Sequence, residues 1–207
     1  MMKLPPLRFQ GRLHGRAFTL VELMVVIGII ALLATAAIPA FSHLIMAGRL
    51  AAGGRMLIDE MTFARQTSLS RNLPVELRIY KLPPHNTTVG SPTTWRGFQV
   101  FEMSSAGEKS VSNLQLLAAP VVISSNTSQS TALTKTQTAP ANAVGPFAAS
   151  SVRYVAIRFS PSGMAGVTST DNYVTLIQEN GKPLSDGANF VTVQVNPVTG
   201  AVRSFRP

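Results

Sequence analysis

Cysteine is absent from the 207 residues. That excludes a disulfide framework, a thiolate zinc site and a cysteine nucleophile together. Histidine is nearly absent: His14, His43 and His85 are the whole set, too scattered to form a local metal-ligand cluster. Charge is scarce as well. Asp, Glu, Lys and Arg make up 13% of the chain, where soluble domains carry roughly 25%. Acids are the scarcer sign, 9 against 18 Lys and Arg, for a net charge of +9. A compact basic nucleic-acid module survives these tests; a thiol redox protein and a zinc finger do not. The glycines form no phosphate-cradling motif before a helix. Asp59 and Glu60 are adjacent on a helical pattern, so they diverge by roughly 100° and do not face each other. Catalysis finds little support, and no cofactor or metal is expected.

The missing charge is missing from one place. Residues 1–17 hold Lys3, Arg8, Arg12 and Arg16 and no acid, four of the nine net charges, which leaves +5 for the rest. From Phe18 to Gly48 the only formal charge is Glu22. The run from Leu23 to Ile45 exceeds the roughly 18 apolar residues that cross a bilayer. Basic residues before it hold its N-terminus in the cytoplasm, so the chain beyond Arg49 is expected outside the inner membrane.

Two cuts compete. A secretory signal peptide has an apolar stretch of about 7–15 residues and then a small-residue cut, which Ala34-Thr-Ala36 supplies. That cut would release a secreted protein, in the extreme a secreted enzyme. The rival cut lies before the run, between Ala17 and Phe18. It is favoured because the apolar run continues past Ala36 through Ala37, Ile38, Ala40, Phe41, Leu44 and Ile45. A carboxylate also stands at its start, where insertion costs about 2.5–3.5 kcal/mol and a function is the default reading.

Gly15-Arg-Ala-Phe-Thr-Leu-Val-Glu-Leu-Met-Val-Val-Ile-Gly-Ile29 resembles the N-terminal motif of type IV prepilins and type II secretion pseudopilins. The resemblance implies that a prepilin peptidase cuts between Ala17 and Phe18 and methylates the new Phe18 amine. It makes Glu22 the family glutamate and Pro39 the helix-loosening proline of many pilins. The family usually has Gly before the cut; this chain has Ala17. It also implies partners: other pilin or pseudopilin subunits, an inner-membrane assembly platform with its ATPase, and membrane lipid before assembly.

Glu22 has a physical argument of its own. Cutting before Phe18 creates an ammonium at a helix start, where the macrodipole already places roughly +0.5 charge. A carboxylate four residues on lies about 6 Å away along the axis. In hydrocarbon each charge is costly alone and far less so when paired. Staggered helices let one chain's Glu22 meet the next chain's Phe18 amine, which makes cleavage an assembly switch. Pro39 removes one helical hydrogen bond and predicts a bend or a melted turn.

The helical pattern continues beyond Arg49, with Leu50, Leu57, Met61, Ala64 and Ser68 on one face. Gly53-Gly54 weakens it by about 1 kcal/mol per glycine, which leaves a hinge open. Asn72-Leu73-Pro74 ends it. After Pro74 the period becomes two. Strands are predicted at Val75–Tyr80, Trp95–Met103, Leu114–Ser124, Val152–Phe159, Tyr173–Glu179, Phe190–Val195 and Ala201–Phe205. Turn chemistry separates them at Pro83-Pro84-His85-Asn86, Ser162-Gly163, Asn180-Gly181, Asp186-Gly187 and Thr199-Gly200. Residues 124–151 hold 11 Ser or Thr in 28 positions and read as a long polar surface loop.

Ala64-Arg65, Arg71-Asn72 and Pro74-Val75 resemble the helix-to-strand junction of the GspH/FimT pseudopilins. Phe159-Ser-Pro-Ser-Gly163 and Val195-Asn-Pro-Val-Thr-Gly200 are similar to that family's late strands and turns. Val75-Glu-Leu-Arg-Ile-Tyr80 and the length also resemble the Verru_Chthon cassette protein D family. Some FimT-type minor pilins contact DNA through basic C-terminal regions, and Arg203 and Arg206 stand in that place here. Scattered solvated arginines are the better default, so nucleic acid is not the expected partner.

The expectation is an α+β, pilin-like chain. Residues 1–17 are a basic leader, 18–48 the transmembrane and assembly half of a long helix, and 49–73 its amphipathic half. Residues 74–207 form a β-rich head built on an antiparallel sheet or sandwich. The expected function is a minor structural subunit of a type IV pilus or type II secretion pseudopilus, with its head in the periplasm. A membrane-anchored β domain that never polymerises and a DNA-uptake pilin are the alternatives beside the secreted enzyme.

Overall fold

A computed structural model describes residues 18–85, 87, 90–134, 137–138, 152–179 and 188–207, with backbone alone at 36–43 and 137–138. The leader, Ala17, and the turns at Asn180-Gly181 and Asp186-Gly187 lie outside the described residues, as do the side chains of Ala36, Pro39 and His43. Two compact units divide the chain, 1–43 and 44–207.

The first element, α1, runs Leu20–Arg71, 52 residues of unbroken helix. In the first unit its described side chains are exposed on every side, from Leu20 at 74% to Leu32 at 72%. A helix apolar all round belongs in lipid or in a protein core, not in water. Among the described residues no helix is long and apolar enough to cross a membrane. The stretch with described side chains, 20–35, is 16 residues, and the helical backbone continues through 36–43.

In the second unit the helix has one buried face. Leu50, Leu57, Met61, Ala64 and Ser68 are all at or below 1% exposure, the face predicted from spacing. Gly53 and Gly54 are buried there too, and the helix passes through them without a break. A Cβ on Gly54 would stand 2.8 Å from Val191 Cγ1, and one on Gly53 would stand 3.1 Å from Leu117 Cδ2. These glycines are points of close helix-to-sheet approach, which corrects the reading of a hinge. Asn72 closes the helix with φ of 53°, a left-handed cap.

Among the described residues there are ten strands: β1 Val75–Leu82, β2 Thr94–Ser104, β3 Gly107–Ser110, β4 Gln115–Leu116, β5 Val121–Ile123, β6 Gln137–Thr138, β7 Arg153–Phe159, β8 Tyr173–Gln178, β9 Val191–Val195 and β10 Val202–Phe205. They form one sheet in the order β10-β9-β8-β5-β2-β1-β7-β6, with β3 and β4 also on β2. Every described pair is antiparallel. This is the α+β architecture expected, with a single sheet. The predicted strand at Leu114–Ser124 is two short ones, β4 and β5, separated by the cis Ala119–Pro120 bond. The main core lies between α1 and the inner face of the sheet, with Leu77, Ile79, Phe98, Val100, Leu176 and Val193 against the helix residues.

The polar segment departs from expectation in its first half. Residues 131–134 form a 3-10 turn, and Ala132 and Leu133 enter the main core. Ser130 Oγ accepts the Thr175 N–H at 3.1 Å, and Asn126 and Gln129 bond within the segment. The reading of 124–151 as one surface loop is therefore corrected for 124–134. Ser124 and Ser130 are buried there with their hydroxyls satisfied, Ser124 donating to Gln129 and Ser130 accepting from Thr175. Most of 135–151 lies outside the described residues.

Candidate assembly site

The helix start is built by Thr19. It stands one residue before α1, and its Oγ1 accepts the Glu22 backbone N–H at 3.2 Å. Leu23 N–H donates to the Thr19 carbonyl at 3.1 Å, the first helical bond. Thr19-Leu-Val-Glu22 is the S/T-x-x-E spacing of a capping box, a signal readable in sequence and missed there. The cap places Phe18 just outside the helix and Glu22 on its first turn. The Glu22 side chain is exposed and enters no ion pair among the described residues. A carboxylate in the first turn suits the positive end of the helix dipole. The arrangement offers one acid, on an apolar rod, to a cation from elsewhere.

The structure does not test the remaining predicted site residues of this unit. Ala17 and the Pro39 side chain lie outside the described residues. In the second unit Arg203 and Arg206 are both exposed but do not share a surface. Arg203 lines a hollow with Phe205, Gln194 and Asn172, whereas Arg206 lines another with Arg55, Ile58 and Val191. Alternation along β10 sends Arg203 and Ser204 to opposite faces, and Arg206, just past the strand, lines its hollow with Ser204. Phe205, two residues on from Arg203, lines the same hollow and gives it an aromatic neighbour.

A buried charged cluster was also not visible in sequence. Val75-Glu-Leu-Arg-Ile-Tyr80 alternates, yet Glu76, Arg78 and Tyr80 are buried along with the apolar residues between them. Glu76 stands opposite Arg158 in the β1–β7 register, and Arg158 Nε donates to its Oε1 at 3.0 Å. Arg78 donates to Glu76 at 3.1 Å and pairs with Glu108 at 2.7 Å. Its guanidinium lies over the rings of Phe101 and Tyr154, at 4.5 and 4.8 Å. Burial works against the Arg78 charge, yet the hydrogen bond to Glu108 and the surrounding fields raise its pKa above the ordinary value. The same bond to Arg78 lowers that of Glu108. Burial pushes the Tyr80 hydroxyl up to about 12. Each buried charge has its partners, so the cluster fixes strand register and offers no free acid or base. Among the described residues no group of His, Asp and Glu comes together to hold a metal.

Residues 13–38 match the prokaryotic N-terminal methylation motif. This is the prepilin-type N-terminal methylation motif. The match begins at Leu13 and ends at Ile38 on the apolar rod, so it covers Phe18, Glu22 and the Thr19 cap. No curated protein matches this chain. A crystal structure of the type IV minor pilin FimU from Pseudomonas aeruginosa strain PAO1 is similar at 12% identity and a TM-score of 0.39. The likeness covers 77% of this chain and 93% of FimU, and at that score it carries no argument.

Proposed function

We propose that the chain is a structural subunit, cut between Ala17 and Phe18, methylated on the Phe18 amine and built into a type IV pilus or secretion pseudopilus. The observation that carries this reading is Glu22, an exposed acid on the first turn of a rod whose apolar side chains are exposed on every side. Such a rod needs lipid before assembly and neighbouring rods after it. In that apolar setting an acid is stable beside a cation, and the amine released at Phe18 is one. Until the cut exists, the partner charge does not, so precursors remain in the inner membrane with the head in the periplasm. The prepilin peptidase, fellow subunits and an assembly platform with its ATPase are the partners. Polymerisation does the work, and this chain needs no catalytic residue. The prepilin-type motif and the capped helix start support the reading.

Glu22→Val is the test in the producing cell. The variant is expected to be cut and methylated like wild type yet to be missing from sheared filaments and from subunit cross-links. Normal incorporation of Glu22→Val would refute the charge pair. A wild-type chain that is cut but never cross-links to another subunit would leave a membrane-anchored β domain.

A further inference from the structure

The hollow beside Arg203 is lined by residues of β9 and β10, the turn between them, and Asn172 just before β8. It lies on the face of the sheet turned away from α1, where Gln194 of β9 stands opposite Arg203 of β10. Its volume is about 310 Å³, at the small end of ligand pockets. Three chemistries converge on it. Arg203 is exposed and forms no ion pair among the described residues, so its charge is available. Phe205, two residues on and on the same face, is 51% exposed. Asn172 is only 6% exposed, and Gln194 Nε2 donates to its Oδ1 at 3.5 Å. That contact leaves the Asn172 amide N–H groups as donors and the Gln194 carbonyl as an acceptor.

The walls are fixed in advance. Asn196 Oδ1 accepts the N–H groups of Val198 and Thr199, both at 2.9 Å. Arg65 Nε donates to the Thr199 carbonyl at 2.8 Å, pinning the β9–β10 turn to α1. A cavity whose rim is already ordered binds without the entropy cost of ordering it.

We propose that this hollow is a binding site for a single acidic sugar unit, a hexuronate residue of an anionic glycan. A hexuronate carries a carboxylate for Arg203, hydroxyls that both donate and accept for Asn172 and Gln194, and a C–H face for the Phe205 ring. A nucleic-acid strand fits less well. It needs a track of cations along its phosphates, and Arg206 lines a different hollow. The site does not depend on whether the chain polymerises.

Ligand-observed NMR on the full chain in detergent micelles tests it, with glucuronate, glucose and a thymidine dinucleotide as probes. Glucuronate is expected to bind saturably with Kd on the order of 1 mM, about tenfold tighter than glucose. Arg203→Gln is expected to abolish that preference, Phe205→Leu to weaken both sugars, and Arg206→Gln to leave both unchanged. These positions are exposed, and an unchanged melting temperature in each variant confirms the fold. Absence of saturable glucuronate binding, equal binding of glucose, or an undiminished preference in Arg203→Gln would overturn the proposal. Tighter binding of the dinucleotide, lost in Arg203→Gln, would overturn it in favour of nucleic acid.

Discussion

Arg65 on the helix donates from Nε to the carbonyl of Thr199, 134 positions later, at 2.8 Å. The bond closes a junction where two left-handed glycines meet: Gly163 with φ of 83° and Gly200 with φ of 63°. A Cβ at position 200 would collide with the Gly163 carbonyl oxygen. Gly200→Ala is therefore expected to destabilise the protein by about 2–4 kcal/mol, from backbone strain and overpacking together. Urea unfolding followed by tryptophan fluorescence measures this, and a change under 0.5 kcal/mol would contradict it.

The paired glycines of α1 separate packing from flexibility. Alanine in a free helix is worth about 1 kcal/mol over glycine. At Gly54 the new methyl meets the branched side chain of buried Val191 at 2.8 Å, so Gly54→Ala is expected to lose about 1–3 kcal/mol. At Gly53 the neighbours are leucine methyl ends at 3.1 and 3.2 Å, which yield more easily, and the loss is smaller. Thermal unfolding of both variants decides. Stabilisation by both would restore the hinge.

Ser130 is fully buried and satisfies the Thr175 N–H. Ser130→Ala leaves that donor without its partner, at a cost of about 1–3 kcal/mol. A residue on a solvent loop would show no effect in the same unfolding experiment.

Alkaline pH is expected to act through Tyr80, whose pKa burial raises to about 12 from an ordinary 10. The neutral phenol is favoured in the fold, so this contribution is complete below pH 10. Above pH 10 the unfolded chain loses the proton first, and stability falls until the folded group titrates near 12. Tyr80→Phe is expected to flatten this loss in urea midpoints measured from pH 9 to 12. An unchanged profile would contradict the assignment.

Much of this fold is legible wherever one face is dry and the other wet. The α1 face from Leu50 to Ser68 and the stop at Asn72-Leu73-Pro74 follow from period and backbone rules. So do β2, β7, β8, β9 and β10, to within a residue or two at their ends. Strand β3 was not legible, because Gly107–Ser110 is exposed throughout and has no alternation. Burial of Ser130 depends on Thr175, and that of Glu76 on Arg158, partners that no local pattern announces. At the assembly site Glu22 stood out by its isolation in an apolar run, while Thr19 was legible only as a capping spacing.

The most direct test of the assembly account is the intact mass of the mature protein from its own membrane. The account predicts a chain that begins at Phe18 and carries one added methyl group on that residue. A chain that begins at Met1 or Ala37 would contradict it.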